Sequence, residues 1–130
     1  MSVFFDTNVL VYAFTADPKQ GVAQMLLADG GTISSQVLNE FTCVARGKHK
    51  RSWGDIEAAL DAVRLQVDAI LPLTAETHAS AVALARDHGF SFFDALIVAA
   101  ALEAKCTVLM SEDFQHGRQI GNLRIQNPFI

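Results

Sequence analysis

Four carboxylates stand inside or beside apolar sequence. Asp6 follows Val3-Phe4-Phe5, Glu40 lies in Val37-Leu38-Asn39-Glu40-Phe41, Asp94 opens Asp94-Ala95-Leu96-Ile97-Val98, and Asp113 follows Val108-Leu109-Met110-Ser111-Glu112. The chain of 130 residues is 51% hydrophobic and only 18% charged, against about 25% charged in an average domain, so each acid is conspicuous. Carboxylates that converge repel one another, and a site holding them needs compensating positive charge or bound protons. Hard oxygen ligands with no Cys/His cluster nearby select Mg²⁺, or Mn²⁺ in its place, over zinc. Such an ion turns water into a nucleophile and clamps a phosphodiester for in-line displacement. The chemistry these residues suit is metal-dependent phosphodiester hydrolysis.

Each acid also has a plainer use. Asp6 and Asp113 are placed at strand ends, where Asp is a common cap or turn residue. Glu40 lies three residues after Val37 and four before Val44, on or beside an apolar helical stripe. Burial there is costly unless the carboxylate is paired or ligates a metal; the plainer reading has it snorkel at the stripe's edge or pair with an arginine such as Arg46. Asp94 completes Ser91-Phe92-Phe93-Asp94, which has capping-box form, in a first turn where the helix dipole favours an acid.

The elements that must position these groups follow from pattern. Val3-Phe4-Phe5 reads as a short buried strand. Asp17-Pro18 opens a helix that Gly30-Gly31 closes. Thr32-Ile33-Ser34 is a second strand, and Ser35 caps a helix through Val37, Leu38, Phe41, Val44 and Ala45 that Gly47 ends. Ser52, with Asp55 three residues on, caps a helix from Trp53 to about Gln66. Asp68–Leu73 is a third strand, placed at an edge or strand end by Pro72. Helices follow over Thr74–His88, stopped by Gly89, and from about Asp94 to Ala104, the latter apolar nearly all round and hence buried. Thr107–Met110 is a fourth strand and Leu123–Ile125 a fifth. Strands alternating with helices predict one α/β domain over residues 1–130 with a mainly parallel sheet of four or five strands. In such sheets ligands bind beyond the carboxyl ends of the strands, where Asp6 and Asp113 both fall.

The motifs Phe5-Asp6-Thr7-Asn8-Val9-Leu10, Ser35-Gln36-Val37-Leu38-Asn39-Glu40-Phe41, Phe93-Asp94-Ala95-Leu96-Ile97 and Leu109-Met110-Ser111-Glu112-Asp113-Phe114 occur in this order, their acids 34, 54 and 19 residues apart. In these motifs the sequence resembles the PIN-domain ribonucleases, and within them the small VapC-type toxins of toxin–antitoxin modules. The resemblance covers essentially the whole chain. It implies a three-layer α/β/α fold in which Asp6, Glu40, Asp94 and Asp113 are catalytic and bind one or two Mg²⁺ ions. It assigns Thr7 or Asn8, with Ser111, to holding the metal or its waters, and matches the family's fourth acid to Asp113 rather than Glu112. It further implies an endoribonuclease acting on RNA in the cytoplasm, a homodimer, and an antitoxin protein that shields the site.

Other features bear on function. Arg46, Lys48, Lys50 and Arg51 put four of the ten Lys and Arg residues within six positions, with His49 between them. In a chain of net charge −4 this is a local positive spot that suits an RNA backbone, or a solvated helix end. His49, His78, His88 and His116 show no mutual ligand spacing. Trp53 and Phe4, Phe5, Phe92 and Phe93 read as core or dimer packing, and Cys43 and Cys106 as small buried hydrophobes in a reducing compartment. The longest apolar run, Ala95–Leu102, is far below the ~18 residues of a membrane span, and the start, acidic by Asp6, reads as no signal peptide. Two other functions compete. One is a non-catalytic module whose acids bind a metal structurally; the other is a haloacid-dehalogenase-type phosphatase, which wants a second Asp where this chain has Asn8.

Overall fold

A computed structural model describes residues 2–130 of the chain. Six strands form one sheet: β1 (Val3–Phe5), β2 (Thr32–Ser34), β3 (Ala69–Leu71), β4 (Val108–Met110), β5 (Gln119–Ile120) and β6 (Leu123–Gln126). Six helices connect and flank them: α1 (Thr7–Ala13), α2 (Gln20–Ala28), α3 (Ser35–Gly47), α4 (Trp53–Gln66), α5 (Ala75–His88) and α6 (Phe92–Glu103). The strand order is β3-β2-β1-β4-β6-β5, parallel throughout except for the antiparallel β5–β6 pair.

The sheet exceeds the expected four or five strands by β5, whose two residues are too few to carry a periodic signal. It folds back onto β6 through Gly121, which turns with φ +57°. β3 is an edge strand, as Pro72 requires. Successive residues of a strand face opposite sides of the sheet. Phe4 and Phe5 are both buried, as are Val108, Leu109 and Met110, so helices cover both faces and the strands read as continuous apolar runs.

Local sequence explains most helix ends. The Oγ of Ser34 accepts from Val37 N at 3.4 Å, so Ser34, in extended backbone, caps α3. Ser35, expected as the cap, is already helical and its hydroxyl donates instead to Leu71 O of β3. Ser52 and Ser91 accept from Asp55 N and Asp94 N. Thr74 and Thr77 form a reciprocal capping box on α5, and Gly89 closes that helix with φ +73°. α2 starts at Gln20, two residues later than Asp17-Pro18 suggested. Asp17 spends its carboxylate on Lys19 N at 2.8 Å, making a turn ahead of the helix.

One helix has no counterpart in the sequence reading. α1 follows β1 directly, with Asp6 as its N-cap and Thr7, Val9, Leu10 and Ala13 buried. Seven residues that include β-branched Thr7, Val9 and Val11 carry weak helix propensity. Tertiary packing forms it: Val9, Leu10 and Ala13 belong to the main core with Phe4, Val37 and Ile97. α6 is buried on nearly every side, from Ala95 to Ala101, as its composition requires.

Candidate functional site

The chain leaves β1 to build β2 and β3 on one side of the sheet, and later builds β4 and β6 on the other. The strand order therefore reverses between β1 and β4, and the crevice beyond their carboxyl ends is the ligand position of open α/β sheets. Phe5 pairs with Met110, so the next residues, Asp6 and Ser111, emerge side by side. Asp6 N donates to Met110 O at 3.0 Å and continues the ladder by one bond. Helices that lead into or out of a parallel strand begin at that same edge when they follow its end. α3 starts directly after β2 and brings Glu40 there in its second turn. α6 runs back toward the start of β4 and brings Asp94 there in its first.

Asp6 is the buried floor, 3% exposed. Its Oδ1 accepts from Thr7 N at 2.7 Å and its Oδ2 from Ser111 Oγ at 2.6 Å. Those bonds favour the carboxylate, yet burial outweighs them. The carboxyl is pushed up from 3.8 to about 7, with the charges of Asp113 and Glu40 adding to the rise. Asn8 Nδ2 lies 3.2 Å from Asp113 Oδ2, 3.3 Å from Ser111 Oγ and 3.4 Å from Asp6 Oδ2; with two N–H bonds it serves two of them at a time. Asp113 N also donates to Ser111 Oγ at 3.1 Å. Ser111, fully buried, is thus the hub that fixes Asp6 and the Asp113 segment together.

Glu40 is half-buried and accepts from Gln36 Nε2, one turn earlier, at 3.3 Å. Burial raises its carboxyl, and the charges of Asp94 and Asp113 raise it further. Asp94 is also raised, by burial first and then by Asp113, against the pull of the Ser91 hydroxyl. The charge of Asp113 is therefore felt by the other three acids, and that of Glu40 by Asp6. Among the described residues, the salt bridges are Lys19–Glu112 and Arg86–Asp87, so no Lys or Arg side chain pairs with any of the four. Arg46, the partner available to Glu40 in the sequence, instead donates to Arg51 O at 3.0 Å and stacks over Trp53 at 4.9 Å.

A hard divalent cation fits this donor set. All donors are oxygens, no Lys or Arg forms a salt bridge with them among the described residues, and two buried oxygens at the crevice, Thr7 Oγ1 and Asn8 Oδ1, have no hydrogen-bond partner. Among the described residues no three His, Cys, Asp or Glu groups already close on one point.

A cleft of about 380 Å³ opens over the acids, lined by Thr7, Asn8, Tyr12, Glu40, Lys48 and Asp113 among others. Of the four acids, Glu40 and Asp113 line it, and Asp6 and Asp94 do not. A separate groove of about 340 Å³, with Phe14, Phe41, Ala45 and Ile56 in its lining, contains none of the four acids.

The basic run divides. Lys48 and His49 line the acid cleft. Arg51 donates to Phe14 O at 2.6 Å, and Lys50 is exposed on a left-handed residue with φ +51°. His116 accepts from Asn127 N at 3.0 Å. Trp53 is 56% and Phe93 62% exposed, so of the expected core or dimer packing they do not supply the core part, while Phe4 and Phe5 do. Cys43 is exposed and Cys106 buried, which corrects the expectation for Cys43: it faces away from the Val37–Phe41–Ala45 stripe. Tyr12, Lys19 and Gln36 were not singled out from sequence, although Tyr12 stands one turn after Asn8, because α1 itself was not foreseen. Among the described residues no helix is long and apolar enough to cross a membrane.

Set against known proteins, residues 3–119 match the family model described as the PIN domain. Among solved structures, the chain is similar to Mycobacterium tuberculosis VapC20, described as a sarcin-ricin loop cleaving toxin, at TM-score 0.71 and 24% identity over 86% of this chain and 92% of that one. A toxin–antitoxin complex from Klebsiella pneumoniae matches at TM-score 0.75 and 21% identity, over 98% of both chains. VapBC2 from Rickettsia felis, bound to a DNA fragment from its promoter, matches at TM-score 0.68 and 24% identity, again over 98% of both. At these identities the likeness is one of fold. No curated protein sequence matches the chain.

Proposed function

The chain belongs to the PIN-domain family, whose model spans residues 3–119, and from that premise we propose that it is a metal-dependent endoribonuclease acting as the toxin of a type II toxin–antitoxin system. The observation that carries this reading is Asp6: a carboxylate 3% exposed, pushed up to about 7 and coupled to Asp113 and Glu40, with no Lys or Arg paired to it. Only a bound proton or a cation relieves that arrangement. Asp6, Glu40, Asp94 and Asp113 would hold Mg²⁺, or Mn²⁺ in its place, with Thr7, Asn8 and Ser111 in support. The bound ion supplies an activated water and neutralises charge developing on the phosphodiester.

The chain's own residues do the rest. Ser111 donates to Asp6 and orients it, Gln36 aims Glu40, and Asn8 tethers Asp113. Lys48, on the cleft wall, gives a phosphate an anchor beside the acids. Toxin identity and an antitoxin partner are supported by the described activity and assembly of the three structures of like fold. A cytoplasmic homodimer, one domain over residues 1–130, completes the proposal.

The test is cleavage of RNA by the purified protein in Mg²⁺ or Mn²⁺, silenced by chelation and by Asp94→Asn. That substitution leaves the cap intact, because Ser91 accepts from the backbone N of residue 94. Metal-independent cleavage, or an Asp94→Asn variant as active as wild type, overturns the proposal.

A further inference from the structure

Glu112 sits between Ser111 and Asp113, yet its carboxylate is engaged elsewhere. Oε1 accepts from the Tyr12 hydroxyl at 2.5 Å and Oε2 from Lys19 Nζ at 2.8 Å. The Lys19 ammonium lies over the Tyr12 ring, 4.8 Å from its centroid, and 5.7 Å from that of Phe129. Tyr12 and Phe129 meet edge to face at 5.1 Å. Both carboxylate oxygens are thus occupied and the charge is neutralised by a cation.

Asn8 and Tyr12 are one turn apart on α1, on the same face. Asn8 grips Asp113, and Tyr12 grips Glu112. Asp6, at the head of the same helix, grips Ser111. The three consecutive residues that follow β4 are therefore each tied to the Asp6–Tyr12 segment. Asp113 needs this most, since it is exposed and its backbone lies just past the last strand residue.

We propose that Tyr12 and Lys19 are positioning residues: they clamp Glu112 so that the loop after β4 presents Asp113 to the divalent cation, and Glu112 itself is an anchor rather than a ligand. This rests on the metal-site reading above. The rival role for Glu112, a reserve ligand withheld from the ion, predicts effects of the opposite sign, and that makes the clamp testable.

The experiment is Mn²⁺ titration by calorimetry on the full chain, without RNA, comparing wild type with Tyr12→Phe, Lys19→Met and Lys19→Arg. Tyr12→Phe keeps the ring against Phe129 and removes only the hydroxyl, so folding is preserved. Loss of a hydrogen-bond partner that orients a metal ligand costs 10–100-fold in affinity as a rule. For a clamp one residue removed from Asp113, the expected weakening is on the order of tenfold for Tyr12→Phe and Lys19→Met, with Lys19→Arg close to wild type. In RNA cleavage at fixed Mn²⁺ the same two variants should lose kcat with KM unchanged, and excess Mn²⁺ should restore kcat, which a general loss of stability would not do. Tighter Mn²⁺ binding by Tyr12→Phe would identify Glu112 as a freed ligand and overturn the clamp. Unchanged binding overturns it equally and leaves the metal site standing. A wild type that binds no Mn²⁺ overturns the metal-site reading and the clamp with it.

Discussion

Removing the charge of Asp6 should make the metal-free protein more stable, which is unusual for a buried, fully hydrogen-bonded residue. Burial and the neighbouring acids raise this carboxyl from 3.8 to about 7. A raised carboxyl means that the folded state holds the proton more tightly than the unfolded chain does. Stability from this group is therefore fully present below about pH 4 and drains away as pH rises through 7. At 1.36 kcal/mol per unit, the ionised group costs the fold about 4 kcal/mol at pH 8. Asp6→Asn abolishes that cost and adds a smaller one. The amide oxygen can still accept from Thr7 N, but the amide N–H now faces Ser111 Oγ, which already accepts from Asn8 and Asp113 N. One bond in this hub is lost, at about 1–2 kcal/mol.

The net gain at pH 8 is about 2–3 kcal/mol, and at ~4 °C per kcal/mol for a domain of this size the variant should melt roughly 10 °C higher. Near pH 4 the order should reverse, because only the lost bond remains. Thermal unfolding followed by circular dichroism in EDTA, from pH 4 to 8, measures both limits. Mn²⁺ at a hundredfold excess over its dissociation constant should then stabilise wild type by about 2.7 kcal/mol and the variant by clearly less. An Asp6→Asn variant that melts below wild type across pH 6–8 in EDTA would show that Asp6 is a helix cap without electrostatic strain, and the argument from charge would fail.

Two further outcomes separate site from scaffold. Lys48→Ala should weaken RNA binding and lower the slope of affinity against salt by about 1, whereas Arg51→Ala should leave that slope alone and lower the melting temperature through its lost bond to Phe14 O; filter binding across a salt series with paired melting curves checks both. Gly31→Ala should destabilise by about 1–3 kcal/mol, measured by urea unfolding, because its Cβ would lie 2.5 and 2.7 Å from ring atoms of Phe5, and Phe5→Leu in the same chain should recover part of the loss.

Periodicity and caps were local signals, and they placed most elements. The stripe Val37–Phe41–Ala45, the serine caps at 52 and 91, and the stop at Gly89 are decided within a few residues of chain, so the sequence specifies them unaided. The candidate acids are partly legible in the same way: a carboxylate among apolar residues is costly to bury, which marks Asp6, Glu40 and Asp94, whereas Asp113 is exposed and is marked only by its place after an apolar strand. α1 and β5 lay outside this reach. A seven-residue helix of β-branched residues forms because the core receives Val9, Leu10 and Ala13, and a two-residue strand forms because β6 offers a free edge.

The fate of each polar group was likewise a tertiary matter. Sequence proximity grouped Arg46, Lys48, Lys50 and Arg51, yet the fold sends Lys48 to the cleft, Arg46 to Trp53 and Arg51 to the backbone of Phe14. Glu112 and Asp113 are neighbours in the chain, but one is neutralised by Lys19 and the other is held by Asn8 toward Asp6. The physical reason is range. Helix caps and apolar stripes act over one or two turns, whereas the pairing of a charge depends on which distant side chains the sheet order β3-β2-β1-β4-β6-β5 brings within reach. Residue types determined that acids would have to be accommodated; only the register of β1 against β4 decided that Asp6 and Ser111 would meet.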